Sequence, residues 1–195
     1  MSEKQLKSEL RRRALGARDA LDAETRIEAS LAIEKIGAAE IEIRPGEIVS
    51  GFWPIRSEVD LRPLMFTLRE KGARLCLPVI MDKTTIVFRE LVRGAEMVET
   101  GFGTAGPGPE AAVLDPTTML VPLAAFDHTG HRIGYGAGYY DRAIARLFDK
   151  GMEPRLIGVA FDVQEVDAVP SEAHDVALPS ILTEGGLRSM PHTRS

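Results

Sequence analysis

The stretch Glu47–Val79, EIVSGFWPIRSEVDLRPLMFTLREKGARLCLPV, decides the architecture of this 195-residue chain. EIVSGFW (Glu47–Trp53) and RLCLPV (Arg74–Val79) are short apolar runs that read as strands. Between them Leu61, Leu64, Met65 and Leu68 recur at the i, i+3, i+4, i+7 spacing of an amphipathic helix, and Gly72 stands where a helix C-terminal glycine belongs. Strand, helix and strand within 33 residues make a βαβ unit, which requires parallel pairing and a right-handed crossover.

Upstream, Pro45-Gly46 punctuates the chain after two helices. In the first, Ser2 and Gln5 fit a capping box, and Leu6, Leu10, Ala14, Ala17 and Leu21 form an apolar stripe. Lys4, Lys7, Arg11 and Arg18 fall on a second, basic stripe beside it. The second helix runs from about Ala23 to Ala39, with Ile27 and Leu31 facing inward. Downstream, Thr85–Leu91, Thr118–Pro122 and Arg155–Ala160 read as strands, Tyr139–Asp149 as a helix, and Ile181–Thr183 as a short apolar run. Thr100–Pro109, with its alternating glycines and prolines, reads as a loop. The expected fold is α/β: one domain over residues 1–195, a mostly parallel sheet with helices on both faces.

Composition narrows the function. At 44% hydrophobic and 27% charged residues the chain is globular, not disordered. Its 24 basic against 29 acidic residues leave a net charge of −5, which argues against nucleic acid or an anionic membrane as main partner. A single cysteine, Cys76, makes neither an internal disulfide nor a cysteine-based zinc site. The polar start, Met1–Glu9, is no secretory signal, and no apolar run approaches the roughly 20 residues of a membrane span; a cytoplasmic protein is expected.

The stretch richest in chemistry is FDHTGHRIGYGAGYYDR, Phe126–Arg142, between an apolar strand and a helix. Gly134, Gly136 and Gly138 let the backbone approach a ligand, and amides at the helix start can cradle a phosphate. It matches neither a Walker A loop nor GxGxxG, and a mobile glycine turn is the plain alternative. Asp141 suits magnesium beside phosphates, or equally a carboxylate favoured by the helix dipole. In WPIRSEVD, Trp53 sits at the carboxyl end of the first strand, on the edge of the glycine loop if the strands are parallel; Glu58 and Asp60 can bond a planar heterocycle or serve as first-turn helix carboxylates. The basic stripe reads as an anion site or a solvated face, and His174-Asp175 by itself as a loop. A metal site from His128, His131 and His174 is set aside.

Together, KSELR (Lys7–Arg11), FWPIRSEVD (Phe52–Asp60), LPV (Leu77–Val79), VPLAAFDHTGHRIGYGAGYYDR (Val121–Arg142) and HDVAL (His174–Leu178) resemble the 5-formyltetrahydrofolate cyclo-ligase, or methenyltetrahydrofolate synthetase, family across nearly the whole chain. The resemblance implies a Rossmann-like fold of the kind shared by NagB, RpiA and the CoA transferases. It implies a ligase of one-carbon metabolism that uses ATP and magnesium to convert 5-formyltetrahydrofolate to 5,10-methenyltetrahydrofolate. Its partners would be these small molecules alone, and the enzyme a monomer. By the same resemblance Lys7, Arg11 and Arg132 hold ATP phosphates with the loop Ile133, Gly134, Tyr135, Gly136, Ala137, Gly138, Tyr139 and Tyr140. Trp53, Ile55, Glu58 and Asp60, with Tyr135 to Tyr139, form the folate pocket; Asp141 and Asp175 serve magnesium; Arg132, Tyr139 and Asp141 are catalytic. Two positions depart from the family pattern: Ala137, often glycine or lysine, brings no charge, and Pro179 replaces a common aspartate. The competing readings are another ATP-dependent or sugar-phosphate enzyme on a related fold, and a folate or nucleotide binder without turnover.

Overall fold

The computed structural model describes residues 2–101, 103–171 and 175–191. In chain order come helices α1 (Glu3–Ala20) and α2 (Ala23–Glu40), strand β1 (Ile48–Ser50), helix α3 (Arg62–Glu70) and strands β2 (Arg74–Ile80) to β9. These include β3 (Ile86–Glu90), β4 (Met97–Gly101), β5 (Thr104–Pro107), β6 (Val113–Leu114), β7 (Thr118–Pro122), β8 (Ala125–Phe126) and β9 (Arg132–Ile133). Helix α4 (Tyr139–Asp149) and strands β10 (Arg155–Val159), β11 (Ser180–Thr183) and β12 (Gly186–Ser189) follow.

The βαβ unit forms as its residues predict: β1 pairs parallel with β2, Ile48 opposite Arg74 and Ser50 opposite Cys76, with α3 between them in sequence. The main sheet runs β12-β11-β10-β7-β1-β2-β3-β6, and β11, β10, β7, β1 and β2 are mutually parallel. Antiparallel β3, β6 and β12 finish its edges. Alternation along the strands separates two cores. Val49, Leu75, Leu77, Leu120 and Leu182 pack with α2 and α3, whereas Cys76, Met119, Val121 and Ile181 pack with Ala143, Ile144 and Leu147 of α4. Helices therefore cover both faces, and burying each large aliphatic side chain contributes about 1.5–3 kcal/mol. Because β1 continues to β2 on one side while β7 joins its other side, the carboxyl ends of β1 and β7 flank the point where the strand order reverses, the place where α/β sheets bind ligands.

The capping box of Ser2 and Gln5 is present, and Gly72 closes α3 at φ 104°. Two expectations fail. On α2, Ile27 and Leu31 are 61% and 53% exposed, and Ala29, Ile33 and Gly37 face inward. The reason is close helix packing: a Cβ on Gly37 would lie 2.8 Å from the Leu64 side chain, so α3 selects the small residues of α2. Thr100–Pro109 is not a loop throughout; β4 and β5 make an antiparallel hairpin, with Gly101 and Gly103 at positive φ beside its turn. On α1 the deepest residues are Ala14 and Arg18, so one member of the basic stripe is buried.

Between β7 and α4 the chain inserts a hairpin, β8 with β9, that periodicity did not reveal. Gly130 at its tip has φ 85°, and its carbonyl accepts from Leu178 N at 2.8 Å. A Cβ there would come 2.2 Å from the Leu178 oxygen, so only glycine fits. Gly130→Ala should cost at least about 2 kcal/mol, lowering the calorimetric Tm by roughly 4–8 °C. Gly94→Ala, also at positive φ but in open space, should cost about half as much; equal costs would contradict the close approach.

Candidate functional site

The hairpin is fastened by Asp127, which is buried at 3% exposure. Its Oδ1 accepts from Thr129 N at 2.9 Å, Thr129 Oγ1 at 2.6 Å and His131 N at 3.2 Å, while Oδ2 accepts from Val169 N at 2.8 Å. Burial works to raise this carboxyl, yet the bonds from Thr129 and Val169 outweigh it and hold it below the usual carboxylate range. His131 Nδ1 lies 2.8 Å from Thr129 Oγ1, so its ring serves the tip, and His128 is exposed. His174 lies outside the described residues. The hairpin thus grips the segment that follows Asp175 and feeds the glycine loop from its second strand.

In that loop Gly136 has φ 104°, and Gly138 caps α4 at φ 66°. The turn after β2 holds the far side: Tyr139 Oη donates to Asp82 O at 3.2 Å, and Arg142 Nε donates to Thr84 O at 2.7 Å. Arg142 also donates to Ala137 O and lies 5.6 Å from the Tyr139 ring centre. Tyr140 points the other way, edge-on to Phe88, with its hydroxyl buried and lacking a hydrogen-bond partner among the described residues. Only its backbone is available to a ligand at the helix start.

Helix α1 supplies the cations. Lys7 Nζ lies 2.6 Å from Asp175 Oδ2, and Arg11 Nε donates to Gly134 O at 2.7 Å. The Arg11 guanidinium also lies 3.8 Å from the Cβ position of Gly136. From the hairpin side Arg132, its side chain only 5% exposed, donates to Asp141 Oδ1 at 2.7 Å and to Val176 O. Lys7, Arg11, Arg132, Asp141 and Asp175 therefore gather around the glycine loop, a grouping that the family resemblance implies and that the basic stripe by itself leaves open.

Glu58 borders the same loop. Its Oε2 accepts from Ile55 N at 2.9 Å, and the Tyr135 hydroxyl is close enough to act on the same carboxyl. Burial pushes its carboxyl above the usual range, opposed by the Tyr135 hydroxyl, the Ile55 amide and Arg18. Enclosure of the hydroxyl, with Glu58 nearby, likewise pushes the Tyr135 phenol up, while the residue as a whole stays exposed. A groove of about 270 Å³ opens beside Glu58, walled by Asp60, Arg26, Ser30, Ile27 and Leu31. The two exposed apolar residues of α2 thus line a surface groove instead of the core. Asp60 is bound by Arg62 through contacts of 2.8 Å, chiefly this bond holding it low, and Arg62 covers Trp53 at 5.4 Å from the ring centre. Trp53 and Asp60 are thus joined through Arg62, and Asp60 shares the groove with Glu58. Arg18, inside the basic stripe but bound to Tyr135 and Ser57, is the site-bordering residue that the sequence reading assigned no separate role.

Fold and site define an α/β protein with a mostly parallel sheet and a glycine-rich loop, bordered by cations, at the switch point of that sheet. Residues 3–184 match a sequence model of the 5-formyltetrahydrofolate cyclo-ligase family. The chain is 34% identical over 146 residues to 5-formyltetrahydrofolate cyclo-ligase of Mycolicibacterium smegmatis, covering 71% of this chain and 74% of that one. It is 30% identical over 141 residues to the Escherichia coli enzyme of the same name, covering 69% and 76%. The solved structure of Aquifex aeolicus 5,10-methenyltetrahydrofolate synthetase matches at TM-score 0.81 and 30% identity, over 97% of this chain and 95% of that one. The Mycoplasma pneumoniae synthetase shares the fold at TM-score 0.74 and 23% identity, over 91% and 98%. The chain belongs to the 5-formyltetrahydrofolate cyclo-ligase family and is a ligase of folate metabolism.

The Asp127 turn yields a pH test. Its folded carboxyl is held low, so its stabilisation is present at neutral pH and lost as pH falls through the folded value. Asp127→Asn should lower Tm at pH 7, and the gap from wild type should close on acidification toward pH 3. A gap independent of pH would contradict a charged Asp127.

Proposed function

We propose that the chain converts 5-formyltetrahydrofolate to 5,10-methenyltetrahydrofolate at the expense of ATP, releasing ADP and phosphate. The observation that carries this reading is that Arg11 bonds Gly134 of the glycine loop, Arg132 bonds Asp141 just beyond it and Lys7 pairs with Asp175, with half-buried Glu58 close to the same loop at Tyr135. A site for a polyanion and a site for a hydrogen-bonding heterocycle then share one wall.

The formyl oxygen is a poor leaving group and must be activated. It attacks the γ-phosphorus, the bond from that phosphorus to the β,γ-bridging oxygen breaks, and ADP leaves. The nitrogen at folate position ten then attacks the formyl carbon, its proton is lost, the carbon–oxygen bond breaks and phosphate departs. Phosphoryl transfer of this kind is accelerated mainly by positioning and charge neutralisation. Lys7, Arg11 and Arg132 neutralise the phosphates together with the amides of residues 132–140. Glu58 accepts from the pterin, Asp60 borders the groove beside Glu58, and Ile55, Trp53 and Tyr139 are the residues assigned to wall the ring. Asp141 and Asp175 are hard oxygen donors beside a phosphate loop, and magnesium takes one or two carboxylates with phosphate oxygens and water, so they fit as its holders. Magnesium supplies charge neutralisation of the phosphates when bound. Among the described residues no helix is long and apolar enough to cross a membrane. The reading takes the chain as one domain, a cytoplasmic monomer acting on small molecules.

Purified protein with 5-formyltetrahydrofolate and magnesium-ATP should develop the near-ultraviolet absorbance of the methenyl product, and neither substrate alone should suffice. No product from folded protein at saturating substrates would refute the assignment. Lys7→Ala and Arg11→Ala should each weaken ATP binding roughly 10- to 150-fold, the cost of a lost charge-assisted bond, with folate affinity near wild type. Lys4→Ala, on the exposed edge of the stripe, is the control; equal effects at all three would reduce the stripe to a solvated face. Asp141→Asn should lower kcat about 100-fold or more with the fold intact. An unchanged kcat at saturating magnesium would remove Asp141 from the site.

A further inference from the structure

Arg18 differs from the other cations of α1 that border the site. It is 4% exposed, and its Nε donates to Ser57 Oγ at 3.0 Å while its Nη1 donates to Tyr135 Oη at 2.6 Å. One planar group thus bonds the loop after β1 and the glycine loop at once. Lysine, a single point charge, cannot reproduce that fork. Ser57 in turn donates to Asp19.

Two consequences follow from this geometry. A guanidinium has donors only, so the Tyr135 oxygen accepts from Arg18 and its own proton is directed away from Arg18, with the Glu58 carboxyl close enough to feel it. The second concerns strain. Arg56, next to Ser57, has φ 53°, a left-handed conformation that costs a non-glycine residue free energy and persists only where its surroundings hold it. The holders are the Arg18–Ser57 bond, the Ile55 N to Glu58 Oε2 bond of 2.9 Å, and Glu58 N donating to Ile55 O at 3.1 Å.

We propose that Arg18 is a positioning residue of the folate pocket: through Ser57 it holds the strained turn that presents Glu58 to the groove, and through Tyr135 it ties that turn to the glycine loop. This rests on the folate reading of that pocket. The charged and titratable groups facing Glu58 are Arg18 from α1 with Asp19 behind Ser57, Tyr135 from the glycine loop, Tyr140 from α4, Arg26 from α2, and Asp60 with Arg62 beside it. Burial raises the Glu58 carboxyl, and Arg18 and Tyr135 both act to lower it. Losing either partner therefore moves its titration to higher pH.

The test compares wild type with Arg18→Met, Arg18→Lys and Tyr135→Phe in two assays. The first titrates 5-formyltetrahydrofolate without ATP, read by fluorescence of Trp53, the single tryptophan. The second measures KM for folate and for ATP, with the pH profile of kcat/KM. Arg18→Met should weaken folate about 10-fold while leaving the ATP KM close to wild type. It should also move the acid limb of the folate profile to higher pH, with Arg18→Lys returning part of the shift. Tyr135→Phe, which keeps the ring and removes only the hydroxyl, should move the limb in the same direction, and it decides the question alone if Arg18→Met does not fold. Unmoved acid limbs, or a folate KM that changes no more than the ATP KM, would overturn the positioning role. Failure of wild type itself to bind the folate would overturn the pocket's assignment instead.

Discussion

Three polar contacts from one helix, Lys7 to Asp175, Arg11 to Gly134 and Arg18 to Tyr135, bridge sequence separations of 168, 123 and 117 residues. The apolar seat of α1 is small, Ala14 against Ala125, Ile133 and Val169 with Leu10 alongside. The polar contacts therefore do much to set where the helix lies. They also bring cations together around a loop of positive-φ glycines, an arrangement that favours an arriving polyanion. Arg132 sharpens it: its nearly buried charge is matched by Asp141 and by the Val176 carbonyl, and removal of either charge would leave the other poorly compensated.

The sheet explains why these groups can meet. β1 and β7 are neighbours and parallel, so the loops leaving their carboxyl ends emerge side by side at the reversal of strand order. One loop carries Trp53, Ile55 and Glu58. The other becomes the β8–β9 hairpin, whose buried Asp127 holds Val169 and whose tight Gly130 holds Leu178 before the chain enters the glycine loop. Rigid elements thus aim flexible chemistry, with α1 closing the open side.

What was legible in the sequence was local. The βαβ unit, the Ser2–Gln5 cap and the strand–loop–helix setting of the glycines follow from periodicity and residue type within a few turns of chain. Departures arose where distant packing decides. Ile27 and Leu31 have the size of core residues, but close approach of α3 selects Gly37 and Ala29, leaving the larger pair to wall the groove beside Glu58. The glycines of Thr100–Pro109 resembled a loop because positive φ beside a tight hairpin turn draws the same residues. Arg18 was indistinguishable from its neighbours on the stripe, since nothing within α1 reveals that Ser57 and Tyr135 enclose it. The gathering of Lys7, Arg11, Asp141 and Asp175 was reached by family resemblance and not by spacing, because it is assembled from remote segments.

The central claim is that the clamped glycine loop holds the formyl oxygen against the γ-phosphorus of ATP. It is tested most directly with 5-formyltetrahydrofolate labelled with oxygen-18 at the formyl group, followed by mass analysis of the phosphate released. The account predicts that each methenyl product formed carries its label into one inorganic phosphate and none into ADP. Label appearing in water, with unlabelled phosphate, would show that the oxygen leaves without phosphorylation and would contradict it.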